Sequence, residues 1–359
     1  MKKTYYIGVM SGTSLDGVDV ALCQIGETQC ELMAYHTYPF PPSLKMEILR
    51  LTRTAVTLSE IGCTDHRLGI LFADAINRLM EDAPIGPEAV AAIGSHGQTV
   101  WHAPEGEEPF TLQLGDPNLI TVRTGIPVVA DFRRKDMACG GGGAPFAPAF
   151  HQFIFKNIET GAAVANIGGI ANITILGEPL SGYDTGPGNM LMDSWIEKHQ
   201  KLPYDREGRW AGEGEVLPAV LEKMMAEPYF SYASPKSTGR ERFNLAWIEK
   251  ILSGMEESFR PEDVQRTLLE LTALSLSREV SKHRLRLLML CGGGAKNSFL
   301  SARIAALLPE VRVEVMAEAE SLEAMMMAWL AYKRLHREAV NLKSVTGAHC
   351  NTVLGALYQ

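Results

Sequence analysis

Three short stretches combine glycines with hydroxyl, amide and carboxylate side chains: SGTSLDG at 11–17, DTGPGN at 184–189 and GGGAKN at 292–297. Small residues let backbone N–H groups approach an anion closely, and Ser and Thr hydroxyls add donors. A helix starting directly after such a loop adds first-turn N–H groups and a favourable dipole. Asn189 and Asn297 stand at such strand-to-helix junctions. One loop of this kind marks a tight turn as readily as a ligand. Three, each following a strand-like run, point to phosphate. The chain has no G-x-x-x-x-G-K-[ST], because Lys296 follows Ala and precedes Asn, and no strand carries G-x-G-x-x-G into a helix. Phosphate binding must then rest on backbone, hydroxyls and a metal ion. Asp16, at the tip of the first loop, is the carboxylate placed to hold Mg²⁺ directly or through water. Its competing role is that of a turn residue bonding its own backbone.

These stretches need elements to hold them. Residues 5–10, 18–25 and 32–38 predict three strands, with the first loop as the tip of a hairpin. Ser43, after Pro41 and Pro42, is expected to cap a helix. Apolar Ile61, Leu68, Leu71, Phe72, Ala75 and Leu79 predict another over 58–82. Residues 89–95, 111–114 and 126–130 are strand-like, and Asp116-Pro117 fits the start of a helix ending near Thr124. A second series follows. Strands are expected at 162–167 and 170–176 around Gly168-Gly169. The second glycine loop, 183–189, would open a helix at 190–198, and further helices cover 217–226, 245–255 and 261–283. A strand at 285–290 enters the third loop, with a helix from 298, a strand at 311–316 and a helix at 321–334. Each half opens with strand–turn–strand and continues with alternating strands and helices. That is an α/β chain built twice, with ligands expected in a cleft between lobes. The expected division is 1–126 with 345–359 as lobe I, and 127–344 as lobe II.

Composition bounds the partners. A net charge of −8 over 359 residues argues against nucleic acid or an anionic membrane surface. No apolar run approaches the roughly 18 residues needed to span a bilayer. Gly, Ser and Thr interrupt the start before any useful apolar stretch, which predicts a cytoplasmic protein rather than an exported one. The six cysteines form no C-x-x-C, and Cys23, Cys139 and Cys291 sit in contexts expected of reduced, buried thiols. His96 and His102 fit no H-E-x-x-H helix, so histidine ligation of a metal is not expected. The methionines of EAMMMAWLA, at 323–331, belong in a core.

The hairpin tip, D-T-G-P-G and G-G-G-x-x-N together resemble the two phosphate motifs and the adenosine motif of the sugar kinase/actin/Hsp70 superfamily. MSGTSLDGVD (10–19), SHGQTVWH (95–102), LQLGDPN (112–118) and ADFRRKDMACGGGGAP (130–145) are similar to signatures of the anhydro-N-acetylmuramic acid kinases. So are NIGGIANIT (166–174), DTGPGNMLMD (184–193), PKSTGRERFN (235–244), CGGGAKN (291–297) and ESLEAMMMAWLA (320–331). They run in order over nearly the whole chain. Two departures stand out: Gly142 where the family commonly has Gln, and His349-Cys350-Asn351 where an Arg-Gly-Pro version is commoner.

The resemblance implies a two-lobed actin-like ATPase (ribonuclease H-like) fold with a duplicated mixed-sheet core, lobe closure on the ligands, and a homodimer. It also implies an unusual reaction in peptidoglycan recycling and amino-sugar catabolism. ATP, water and 1,6-anhydro-N-acetylmuramic acid become ADP and N-acetylmuramic acid 6-phosphate. Opening an acetal with water needs a carboxylate to take the water's proton. Here the leaving O6 is also the phosphoryl acceptor, so the γ-phosphorus can capture its developing charge and one carboxylate suffices.

Carried over motif by motif, Asp184 is the base, its competing role being that of a capping Asp or an indirect Mg²⁺ ligand. Gly12, Thr13, Ser14, Leu15, Asp16, Gly17, Val18, Asp19, Gly186 and Gly188 approach the ATP phosphates, with Asp16 toward Mg²⁺. Gly293 and Asn297 hold adenosine or ribose. Arg133 and Arg123 are the candidates to read the lactyl carboxylate, and Thr99 and Glu323 are sugar-contacting positions. For Glu323 the alternative is an acidic first-turn residue favouring the helix dipole. His96 and Trp101 are expected to pack. Two other functions compete: a conventional sugar kinase in which Asp184 deprotonates a free hydroxyl, and a non-enzymatic actin-like nucleotide switch. The arginines of DFRRKD beside a glycine run favour an anionic small substrate over the switch.

Overall fold

The apolar alternation of the first strand-like runs produces a hairpin of β1 (Thr4–Ser11) and β2 (Val18–Ile25), extended antiparallel by β3 (Cys30–Tyr38). The computed structural model describes residues 4–12, 15, 17–83, 85–156, 161–234, 236–316 and 320–359. β4 (Val90–Ala103) and β6 (Val128–Ala130) add in parallel on the other side of β1, while β5 (Phe110–Leu114) folds back on the far end of β4. β4 therefore continues eight residues beyond the predicted end at 95, because β5 supplies a partner for its polar second half.

The second sheet repeats this plan. β7 (Ala162–Ile167), β8 (Ile170–Leu176) and β9 (Ser181–Pro187) form the antiparallel meander. β10 (Leu287–Cys291) and β11 (Arg312–Val315) join in parallel. The orders β3-β2-β1-β4-β6 and β9-β8-β7-β10-β11 match strand for strand, which is the duplicated mixed-sheet α/β core that the sequence predicts. β12 (Ala356–Tyr358) returns to the first sheet and closes it antiparallel to β6.

The chain divides into two units, 1–156 with 321–359 and 157–320. The first boundary thus lies near 156 rather than 126, and the return near 321 rather than 345. β6 completes the first sheet, and the helix Leu322–Leu335 packs on β1 and β4. Gly8 and Gly94 are register partners on those strands. A Cβ at Gly8 would lie 1.7 Å from Ala324 O, and one at Gly94 1.9 Å from Met327 O. The helix backbone therefore rests directly on the two glycines. Met325, Met326 and Met327 are buried in this packing, as the sequence predicts.

The helix Leu58–Asp82 starts at a capping box formed by Thr57 and Glu60. Asp116 caps Pro117–Thr124 by accepting the Asn118 N–H at 2.8 Å. Ser43 does not cap: Pro41 occupies the N-cap of Pro42–Leu51, and no side chain bonds there. Cys23 and Cys291 are buried, whereas Cys139 is partly exposed. Among the described residues no helix is long and apolar enough to cross a membrane.

Candidate active site

Asp184 sits within β9, opposite Asn172 of β8, rather than in the loop that its Gly- and Pro-rich context predicts. Its N–H donates to Lys236 O at 3.0 Å, and its carbonyl accepts the Tyr229 hydroxyl at 2.8 Å. The Ser237 hydroxyl and the Thr238 N–H both donate to Oδ2, at 2.9 and 3.0 Å. Burial pushes the Asp184 carboxyl above the usual carboxylate range. The Thr238 and Ser237 donors pull the other way, and Glu241 reinforces the rise. No cation pairs with Asp184 among the described residues. A carboxylate oriented by neutral donors and raised by burial in this way can take up a proton.

Beneath this lies a buried ion pair. Lys236 Nζ stands 2.7 Å from Glu279 Oε1, with side chains 3% and 4% exposed. Lys282 reaches Glu279 Oε2 at 2.7 Å, and the Lys236 ammonium lies 4.8 Å from the centre of the Tyr229 ring. Burial raises the Glu279 carboxyl, but the two lysines outweigh it and hold the group below its ordinary value.

The glycines of the second loop serve packing first. A Cβ on Gly188 would lie 2.1 Å from Gly168 O, and one on Gly186 2.8 Å from Phe230 Cε1. The N–H groups of Gly188 and Asn189 donate to Gly169 O and Gly168 O at 2.9 and 2.8 Å. These donors, expected to cradle phosphate, are engaged by the β7–β8 turn. Asn297 Oδ1 accepts the Leu300 N–H at 3.0 Å and so caps the helix Ser298–Leu307. Gly293 is exposed in the turn before it, and a Cβ there would sit 3.6 Å from Asn189 Nδ2.

The other candidates lie in the first unit. Leu15 is buried at the hairpin tip with a left-handed φ of 57°, its N–H donating to Gly12 O at 3.2 Å. Gly17 is buried and Val18 opens β2, while Thr13, Ser14 and Asp16 lie outside the described residues. Asp19 Oδ1 accepts the Tyr35 hydroxyl at 2.7 Å and the Thr37 hydroxyl at 2.6 Å. Thr99 on β4 accepts from Gln113 Nε2 at 3.2 Å, and the Ser11 hydroxyl donates to Gln98 Oε1.

Arg133, on the short helix Phe132–Ala138, is fixed on several sides. Its Nε and Nη2 donate to His96 Nε2 at 3.0 and 2.8 Å, and its Nη1 donates to Gly143 O at 2.7 Å. Burial, with Arg133 adding to it, lowers His96 to about 3, so the ring is neutral; its Nδ1–H bonds Gly97 O at 2.7 Å. Burial lowers Arg133 to about 10, against the pull of the Glu323 carboxylate. Glu323 is the second residue of the helix Leu322–Leu335. Desolvation, aided by Asp19, raises its carboxyl, and Arg133 opposes this. Arg133, Glu323, Asp19 and His96 thus form one electrostatic neighbourhood.

Arg123 is not part of that neighbourhood. It pairs with Asp74 at 2.9 Å, both side chains about half exposed. Arg134 is also exposed, 3.6 Å from Asp131. Asp136 Oδ2 accepts the Gly143 N–H at 2.8 Å and folds the glycine run under Arg133. At Gly142 a Cβ would meet nothing closer than 3.6 Å, so packing accommodates a side chain there. His96, Lys236, Ser237 and Thr238 lie in the motifs SHGQTVWH and PKSTGRERFN, which are the signals that could single them out, whereas Glu279 lies in the helix Pro261–Val280 outside any motif.

The model of the family described as anhydro-N-acetylmuramic acid kinase matches residues 4–359. The chain is 57% identical over 358 residues to the anhydro-N-acetylmuramic acid kinase of Sulfurovum sp. strain NBC37-1, covering 100% of both chains. It is 50% identical over 366 residues to the protein of that name from Vibrio vulnificus strain YJ016, covering 99% of this chain and 98% of the relative. Among solved structures it is similar to the activator of the 2-hydroxyisocaproyl-CoA dehydratase from Clostridium difficile with bound ADPNP. That likeness is 14% in sequence, with a TM-score of 0.48 over 93% of this chain and 96% of the other.

Proposed function

The chain belongs to the anhydro-N-acetylmuramic acid kinase family, and we propose that it uses ATP and water to convert 1,6-anhydro-N-acetylmuramic acid to N-acetylmuramic acid 6-phosphate and ADP. What carries this reading in the geometry is Asp184, a carboxylate raised by burial and held on one oxygen by neutral donors. Water attacks C1, its proton goes to Asp184, and the C1–O6 bond breaks. O6 takes the γ-phosphoryl group as ADP leaves. Mg²⁺ accompanying the nucleotide neutralises phosphate charge. Asp16, which lies outside the described residues, would hold that ion directly or through water.

Arg133 is the reader of the lactyl carboxylate. Its guanidinium is partly desolvated and pre-oriented by His96 and Gly143, so little side-chain freedom is lost on binding. Glu323, beside it, and Thr99 meet the sugar's polar groups. Cytoplasmic action as a homodimer belongs to the same reading.

The test follows ADP and sugar phosphate together in purified protein with Mg-ATP and the anhydro sugar. They are expected in equal amounts, and ADP without sugar phosphate would overturn the reading. In the same assay Arg133→Ala is expected to raise KM for the sugar by about 10–100-fold, as loss of a charge-assisted contact does. Arg123→Ala should leave KM within about twofold, because an exposed ion pair contributes little. The reverse ranking would reassign the carboxylate to Arg123.

A further inference from the structure

We propose that Ser237 and Thr238 are positioning residues that hold Asp184 so that Oδ1 alone receives the proton of the attacking water, and that the buried Lys236–Glu279 pair anchors the segment presenting them. The inference rests on the reading of Asp184 as the base.

Both hydrogen bonds to the carboxylate arrive at Oδ2, and among the described residues none reaches Oδ1. The Thr238 N–H is an obligate donor, so Oδ2 must remain an acceptor in either protonation state. A proton taken up by Asp184 therefore resides on Oδ1. The donors are an amide and a hydroxyl, which fix the plane of the carboxylate without the large loss of basicity that a cation would bring.

The donors can hold this geometry only if their own backbone is held. Lys236 supplies both ends of that constraint. Its carbonyl accepts the Asp184 N–H at 3.0 Å, and its ammonium is buried against Glu279 at 2.7 Å on the helix Pro261–Val280. Tyr229 adds a third tie through the Asp184 carbonyl at 2.8 Å. Of the titratable and charged groups packed here, Glu241 acts on Asp184 and Tyr229 bonds its carbonyl, while Tyr183, Arg242 and Glu279 act on Tyr229 and Lys236 pairs with Glu279. None of them bonds Oδ1, and among the described residues only Ser237 and Thr238 hydrogen-bond the carboxylate.

The experiment measures kcat against pH for the wild type, Ser237→Ala, Ser237→Thr and Asp184→Asn, with thermal midpoints alongside. Ser237→Ala removes a bond to the ionised form, so the acid limb of kcat should move to higher pH. At neutral pH kcat should fall by about 10–100-fold, the scale of a misplaced reacting group, with KM for ATP unchanged. Ser237→Thr keeps the hydroxyl and should restore both limb and rate. In the Asp184→Asn background, Ser237→Ala should cost little further, because the two act as one unit. An unshifted acid limb in Ser237→Ala, whether kcat is kept or falls together with the thermal midpoint, would overturn the positioning role while leaving Asp184 as base. An active Asp184→Asn would instead overturn the base reading itself.

Discussion

Asp184→Asn is expected to lower sugar-dependent ADP formation by about 10³-fold, within the range general base catalysis contributes, while leaving the fold as stable as before. Asn is isosteric, and its carbonyl oxygen can still accept from Ser237 and Thr238, which now donate to Oδ2. What it lacks is a lone pair basic enough to take a proton from water. The stability half of the expectation follows from the direction of the pKa. Burial lifts Asp184 above its ordinary range, so the folded state favours the neutral carboxyl. Any stability from that preference is present below the unfolded value and is lost as pH rises through the folded one. At neutral pH the ionised side chain is a net cost that Asn removes. Urea denaturation at pH 7 should therefore show Asp184→Asn at least as stable as the wild type, with activity and stability moving apart. A variant within tenfold of wild-type turnover would place the base elsewhere.

The largest structural effect is expected at Gly94. Gly94→Ala puts a methyl group 1.9 Å from Met327 O and 2.6 Å from Met327 C. These are backbone atoms of a well-packed helix and cannot rotate away. The helix Leu322–Leu335 must lift from β1 and β4 or the substitution must strain the sheet. Overpacking of this kind costs about 3 kcal/mol or more. Because Glu323 lies in the first turn of that helix, the same shift moves it relative to Arg133, and residual folded protein should bind the sugar more weakly. Equilibrium denaturation measures the first effect and the sugar KM the second. An unchanged denaturation midpoint would mean that the helix is not seated on the glycines as described.

Much of this was legible in the sequence because local pattern and tertiary role agree. The hairpin of β1 and β2, the capped helix Leu58–Asp82 and the β7–β8 pair follow from alternation, helical spacing and turn residues. The misreadings have a shared cause. Asp184 sits in β9 although glycines and a proline surround it, because β8 offers a partner strand that local propensity cannot reveal. β4 runs on through SHGQTVWHA because β5 pairs with it from ten or so residues away. The boundaries near 156 and 321 depend on β6 and a helix from the end of the chain joining the first sheet. Likewise the His96–Arg133 and Lys236–Glu279 pairs join positions 37 and 43 residues apart. Chemistry-bearing residues could be named from motifs, but which of two arginines is desolvated beside a carboxylate could not. Only the folded chain separates Arg133 from Arg123.

The fate of the water oxygen tests the coupling of ring opening to phosphoryl transfer most directly. Purified protein is given Mg-ATP and 1,6-anhydro-N-acetylmuramic acid in ¹⁸O-water, and the products are read by mass spectrometry before the anomeric centre can exchange. The expected product is N-acetylmuramic acid 6-phosphate carrying one ¹⁸O on the anomeric carbon and none in the phosphoryl group. A phosphorylated sugar without ¹⁸O, or label appearing only in inorganic phosphate, would contradict that coupling, since ring opening by water and phosphoryl transfer would then not be one reaction.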